Sequence, residues 1–255
     1  MSETVMLGKT GGTPAAWRWL PGVGLIVLGS TVLIGWFSHQ ALLVGLLPGF
    51  PPMVMNTALM FIASGLALSA LATERPQIVL WAGTGIGALA LSILAEHFLG
   101  LELGIDLAGV HAWAQDGFPH PGRAARVTAL CFAFAAAALV LLGTPAQSGR
   151  LWTAGLLGAA ISLISIAAVT GNFLGLDALY PAYALRGMAI PTAAGLTLLG
   201  AVLYREAQRR WLADQLQGLD RRIVSIGTLL LVAVALLTGL PIAYLVKSHI
   251  QDTLV

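Results

Sequence analysis

Charge is what this chain has least of. Only 9% of its 255 residues are Asp, Glu, Lys or Arg, against 58% that are hydrophobic. Soluble domains carry roughly 25% charged residues, so a fold surrounded by water has too little polar surface to cover this much apolar side chain. Cysteine is nearly missing as well: Cys131 stands alone, which excludes an internal disulfide and a cysteine-based metal site. Lysine is confined to Lys9 and Lys247, both outside a helical bundle, so none is placed for a retinal Schiff base. Chelating histidine spacings, phosphate-binding Gly-Lys-Ser loops, nucleophile elbows and His-Glu-x-x-His motifs do not occur. The expectation is a protein without catalytic activity of its own, and a net charge of +2 offers nothing to a nucleic acid.

What is present is apolar sequence in long runs. Seven stretches, at approximately 20–38, 54–72, 77–98, 127–143, 151–171, 188–204 and 223–246, approach the ~20 residues that a bilayer-spanning helix needs. The first six read as one helical hairpin written three times. The second helix of each hairpin opens on a related phrase: Met53-Val-Met-Asn-Thr57-Ala-Leu, Arg126-Val-Thr128-Ala-Leu and Met188-Ala-Ile-Pro-Thr192-Ala-Ala. The first helix of two hairpins closes on Phe98-Leu-Gly-Leu and Phe173-Leu-Gly-Leu. The predicted fold is an all-α integral membrane protein of seven transmembrane helices, three repeated hairpins plus a seventh helix. It divides into an N-terminal tail (1–19), a membrane bundle (20–206), an amphipathic linker (207–222) and a seventh helix with a short tail (223–255).

Lys and Arg are retained on the cytoplasmic side during insertion. With the N-terminus inside, the inner segments hold Lys9, Arg18, Arg75, Arg150, Arg205, Arg209, Arg210, Arg221 and Arg222, and the outer ones only Arg123, Arg126, Arg186 and Lys247. The predicted orientation is therefore N-terminus inside and C-terminus outside. The inner turns, Ala72–Gln77 and Gly143–Arg150, are short, which lays each even helix beside the next odd one. The outer loops, Leu43–Met53, Gly100–Arg126 and Leu174–Gly187, are longer and rich in Pro and Gly. Loops held by a rigid scaffold are where binding residues collect.

Small residues let helix backbones approach in lipid. Gly83, Gly85 and Gly87, the alanines of 133–138, and Gly155 with Gly158 have that character. They serve bundle packing, or else self-association, a protein partner or a pigment. Gly239 and Pro241 predict a kink in the seventh helix. The polar segment 205–222 predicts a basic amphipathic helix with Leu212, Leu216, Leu219 and Ile223 on one face. It is either an inner loop on anionic headgroups or a coupling element built on Arg205, Arg209, Arg210, Trp211, Arg221 and Arg222.

All five histidines, His39, His97, His111, His120 and His249, fall near the outer edge, with Glu96, Glu102, Asp106, Asp116 and Asp177. His39 and His97, ending the first and third helices, are the candidate metal or haem ligands. Glu96 is costly near the end of an apolar helix unless it reaches water or a partner, and Arg123 and Arg126 are the available cations. Asn56 and Asn172, at outer helix ends, read as caps for backbone groups.

Several phrases together resemble a known group of proteins. These are Leu46-Leu-Pro-Gly-Phe50 with Met53 and Asn56-Thr57-Ala58-Leu59; Glu96-His-Phe-Leu-Gly-Leu-Glu-Leu-Gly-Ile-Asp106; His120-Pro-Gly-Arg123 with Thr128-Ala-Leu-Cys-Phe132; and Tyr180 to Thr192. Over about residues 20–206 the chain resembles the N-terminal multi-span membrane regions of bacterial PAS-containing histidine kinases and diguanylate cyclases. The resemblance implies a sensory or signal-input module in the bacterial inner membrane and carries over no catalytic residue. The sequence departs from those proteins in lacking a kinase or cyclase region and in adding a seventh helix. It is thus either the front of a longer receptor or a stand-alone subunit. The expected ligand-sensing set is Glu96, His97, Asp106, Arg123, Arg126, Tyr180 and Arg186. The alternatives are an accessory subunit of a respiratory or photosynthetic membrane complex, and a redox protein holding haem or quinone. The identity of any cofactor stays open.

Overall fold

The computed structural model describes residues 18–45, 51–115, 120–174 and 188–215. Its helices are α1 (Leu20–Phe37), α2 (Ala41–Gly45), α3 (Met55–Ala72), α4 (Pro76–Leu99), α5 (Ala108–His111), α6 (Arg126–Gly143), α7 (Ser148–Leu174) and α8 (Ile190–Gln215). No strand occurs among the described residues. Local chemistry sets several boundaries. Proline stands in the first turn of α1 and of α4, where its missing N–H costs nothing. Gly100, left-handed at φ 65°, closes α4.

Five helices, α1, α3, α4, α6 and α7, are long and apolar enough to cross a membrane. Their outward faces are apolar too. Val27, Ile34, Leu66, Leu91, Leu156 and Leu163 are all exposed, and only 28% of the most apolar window of α4 is buried. A water-soluble bundle would turn polar residues outward, so these faces suit lipid. Trp19, Trp81 and Trp152 are exposed near the starts of α1, α4 and α7, at the same end of the bundle. The next helix, α8, covers most of the sixth expected span and runs unbroken to Gln215. Residues 207–215 of the expected linker are thus its last turns. The seventh expected span, 223–246, lies outside the described residues.

The hairpin repeat appears as packing. The most extensive helix contacts are α1 with α3, α4 with α6, and α7 with α8. The adjacent pairs α3 with α4 and α6 with α7 follow, and α1 and α6 each also touch α8. Two hairpins zip through facing glycines. A Cβ added to Gly22 would sit 2.6 Å from the Gly65 carbonyl oxygen, and one added to Gly200 would sit 2.5 Å from that of Gly158. The α4–α6 seam is less tight: a Cβ added to Gly83 would sit 3.2 Å from Val140, and one added to Gly87 3.2 Å from Ala136, so those neighbours would have to give by a few tenths of an ångström. Small residues expected to pack helices therefore do so within the chain, while Gly85 faces open space. Deeper in, Phe61 meets Phe132 edge-on at 5.0 Å, and Gly195 leaves the room that the Phe61 ring occupies.

Gly200→Ala should destabilise the protein by about 1–3 kcal/mol, because a methyl group there collides with backbone that cannot swing aside. Gly85→Ala should have no such cost. Thermal unfolding of both variants in one detergent checks the contrast.

Candidate functional site

Between α4 and α6 the chain folds back over one end of the bundle as a cap, and its polar side chains turn inward. His111, at the end of the short α5, is fully buried. Its Nδ1 donates to the Leu107 carbonyl oxygen at 3.0 Å, which leaves Nε2 free to accept the Met55 N–H at 3.1 Å. That N–H opens α3, where Val54 provides no side-chain cap, so an imidazole from 56 residues away serves a helix end that needs an acceptor. Asn56 follows the same logic. Its Nδ2 donates to the Ile105 carbonyl oxygen at 3.0 Å, so it ties α3 to the cap instead of capping its own helix as expected. The side chain of Asn172 lies outside the described residues.

Aromatic rings close the site on the α1 side. Trp36 donates from Nε1 to the Met53 carbonyl oxygen at 2.7 Å and meets the His111 ring edge-on at 4.3 Å. Trp113 lies 5.3 Å from Trp36 and 5.1 Å from His39. Gln115 accepts the Gly122 N–H at 2.6 Å. Gly122 has φ 82°, and a Cβ there would run into the Asp106 carbonyl group and the His111 ring. Only glycine fits that turn.

Beneath the cap lies a charged cluster. Arg123 Nε donates to Asp106 Oδ2 at 2.8 Å and stands 3.6 Å from Glu96 Oε2. Glu96 Oε1 accepts the Leu103 N–H at 2.9 Å. The side chains of Glu96, Arg123 and Asp106 are 0%, 8% and 12% exposed. Two carboxylates thus face one guanidinium. Glu96 Oε2, Asp106 Oδ1 and Trp113 Nε1 are buried without a hydrogen bond among the described residues, and buried polar atoms rarely stay that way.

Of the expected sensing residues, Glu96, Asp106 and Arg123 come together. His97 sits beside them, its Nε2 2.9 Å from the Ala124 carbonyl oxygen. Arg126 is exposed, and among the described residues it is Arg123 that pairs with Glu96. Tyr180 and Arg186 lie outside the described residues. The two candidate metal or haem ligands have different neighbours: an exposed His39 rests on Trp113, and His97 takes a backbone carbonyl. Among the described residues no group of three or more His, Cys, Asp and Glu could hold a metal ion.

Two of the expected coupling residues, Arg209 and Arg210, join a second polar cluster at the other end. Glu206 binds Arg209 at 2.7 Å and Arg210 at 2.9 Å, with Arg18 of the α1 entry at 3.5 Å. Burial pushes the Glu206 carboxyl up, but hydrogen bonds from Arg209 and Arg210 outweigh it and hold the group below the usual carboxylate range. Arg210 also donates to the Leu142 carbonyl oxygen at 2.7 Å, where the C-terminus of α6 favours a cation. Trp211 packs partly buried against the core. Arg205 is exposed, and Arg221 and Arg222 lie outside the described residues.

Searches against family models, curated proteins and solved structures give no match to this chain.

Two outcomes follow from the cap. Arg123→Gln strands a buried carboxylate pair and should cost about 3–5 kcal/mol, whereas Arg126→Gln should leave stability unchanged; chemical denaturation in detergent separates them. Burial also lowers the His111 pKa, against the opposing pull of the Leu107 carbonyl and Asp106. The unfolded imidazole then takes a proton that the folded one refuses. The stabilisation is complete above about pH 6.5 and is lost as pH falls below it. The unfolding midpoint should drop on acidification, and His111→Gln should flatten that part of the profile.

Proposed function

We propose that the chain is a membrane-embedded sensory or signal-input module without catalytic chemistry of its own. In this reading α1, α3, α4, α6, α7 and α8 are six spans, the segment 223–246 is a seventh, and the cap faces outward. The observation that carries the reading is the cap cluster. It holds more negative than positive groups, and two buried carboxylate oxygens and an indole N–H have no hydrogen bond. Such a site suits a small cationic or donor-rich stimulus, because the buried atoms without a hydrogen bond are mostly acceptors. The resemblance over residues 20–206 points the same way.

The route inward is mechanical. His111 and Asn56 tie the cap to the start of α3, and α3 packs along α1 and α4. At the opposite end, the α1 entry and the last turn of α6 both meet α8 through Arg18–Glu206 and Arg210–Leu142. An occupant that prefers one arrangement of Arg123 between its two carboxylates biases the bundle by that preference and no more.

Hydrogen exchange of the full chain in nanodiscs tests this without knowledge of the stimulus. Asp106→Asn, which alters only the cap, should change exchange in the second half of α8 severalfold. Unchanged exchange at that distance would defeat the sensing reading. Gentle-detergent purification adds a check: a lone monomer or dimer supports the sensor, and a stoichiometric complex supports an accessory subunit.

A further inference from the structure

At the end of the bundle opposite the cap, α1, α3 and α8 leave a cavity of about 110 Å³. Its polar wall is Arg18, Arg205, Arg209 and Glu206. Its other wall is apolar, made by Pro21, Leu68, Leu71 and Val202. The charges are not balanced. Glu206 is engaged by Arg209 and Arg210 at 2.7 and 2.9 Å, and Arg18 reaches it only at 3.5 Å. Glu74, on the turn after α3, also adds to the field at Arg209. Four guanidinium groups therefore stand against two carboxylates. Arg205 makes no ion pair or hydrogen bond among the described residues. A guanidinium carries five N–H donors, so Arg18 and Arg205 keep most of theirs unused.

We propose that this cavity binds the phosphate of an anionic phospholipid, with the lipid's glycerol and upper acyl chain against the Pro21–Leu68–Leu71–Val202 wall. The phosphate oxygens match the forked donors of Arg18 and Arg205. A free phosphate would satisfy the arginines equally well but has no use for the apolar wall. Depth favours the lipid as well. Exposed Trp19 adjoins Arg18, and exposed Trp81 and Trp152 lie at the same end, as indole rings do at headgroup level. Basic pockets between spanning helices are suited to such headgroups. A lipid seated there would bridge α1 and α8 beside the Arg18–Glu206 contact, and this site stands independently of what the cap senses.

The test uses the full chain in neutral detergent, titrated with phosphatidylglycerol or phosphatidylcholine and read by native mass spectrometry. Phosphatidylglycerol should be retained preferentially. Arg205→Gln, which has no ion pair or hydrogen bond to lose among the described residues, should weaken that retention about fivefold, the effect of one arginine near an anionic headgroup. Arg75→Gln, an exposed arginine at the same end but outside the cavity, should leave it unchanged. Equal retention of the two lipids overturns the proposal. So does an equal loss in both variants, which would mean diffuse surface charge. A third arm adds inorganic phosphate. Competition with the lipid supports a phosphate subsite within a lipid site; phosphate binding without any lipid preference overturns the lipid assignment in favour of a free oxyanion.

Discussion

Inside lipid no hydrophobic force draws one apolar helix to another, so contact depends on how near two backbones can come. That constraint organises this bundle. The α1–α3 and α7–α8 hairpins close where glycine faces glycine, and at those points even a methyl group would meet a carbonyl oxygen. The α4–α6 hairpin uses glycine against alanine and sits slightly wider. Larger side chains then fill what the seams leave. Phe61 and Phe132 cross between hairpins, and the ring of Phe61 depends on the missing side chain of Gly195.

Polar groups obey the complementary rule that every buried donor and acceptor needs a partner. Along the spans the hydroxyls of Ser64, Ser165 and Thr197 donate to carbonyl oxygens four residues earlier in their own helices, and that of Ser162 donates across to the Thr197 carbonyl oxygen of α8. The middle of the bundle is chemically quiet as a result. Charge collects at its two ends, in one cluster around Arg123 and another around Glu206. The two differ in balance. The cap has more carboxylate than guanidinium, and the opposite end has more guanidinium than carboxylate. In the two proposals made above, the first end takes a cationic or donor-rich visitor and the second the oxyanion of a lipid headgroup.

The cap shows how far sequence reasoning reaches. Glu96 stood out because a carboxylate near the end of an apolar run is anomalous, and Arg123 was one of only two cations near it. Their pairing was thus legible, though the choice between Arg123 and Arg126 was not, since it turns on which side of a loop faces inward. His111 carried no such signal. It was one of five histidines in a polar region, and its partner is a backbone N–H far away in the chain. Asn56 looked like a helix cap because it begins a helix, but its amide N–H donates to the Ile105 carbonyl oxygen of the cap loop. Gln115 and Gly122 depend on each other and on the Asp106 carbonyl, a relation with no sequence periodicity.

From its order of residues alone, the chain dictates where its described long helices lie, because a run of apolar residues in lipid must satisfy its own backbone and so must coil. The hairpin pairing was also legible in the sequence, through the repeated opening phrases, and the short turns at 73–75 and 144–147 set each hairpin beside the next. Which glycines face each other, which arginine turns under the cap, and which donors are left unused at the opposite end arise only once all the helices are in place. Each depends on distances across the bundle, and such distances are a property of the assembled set, with no counterpart in the neighbours along the chain.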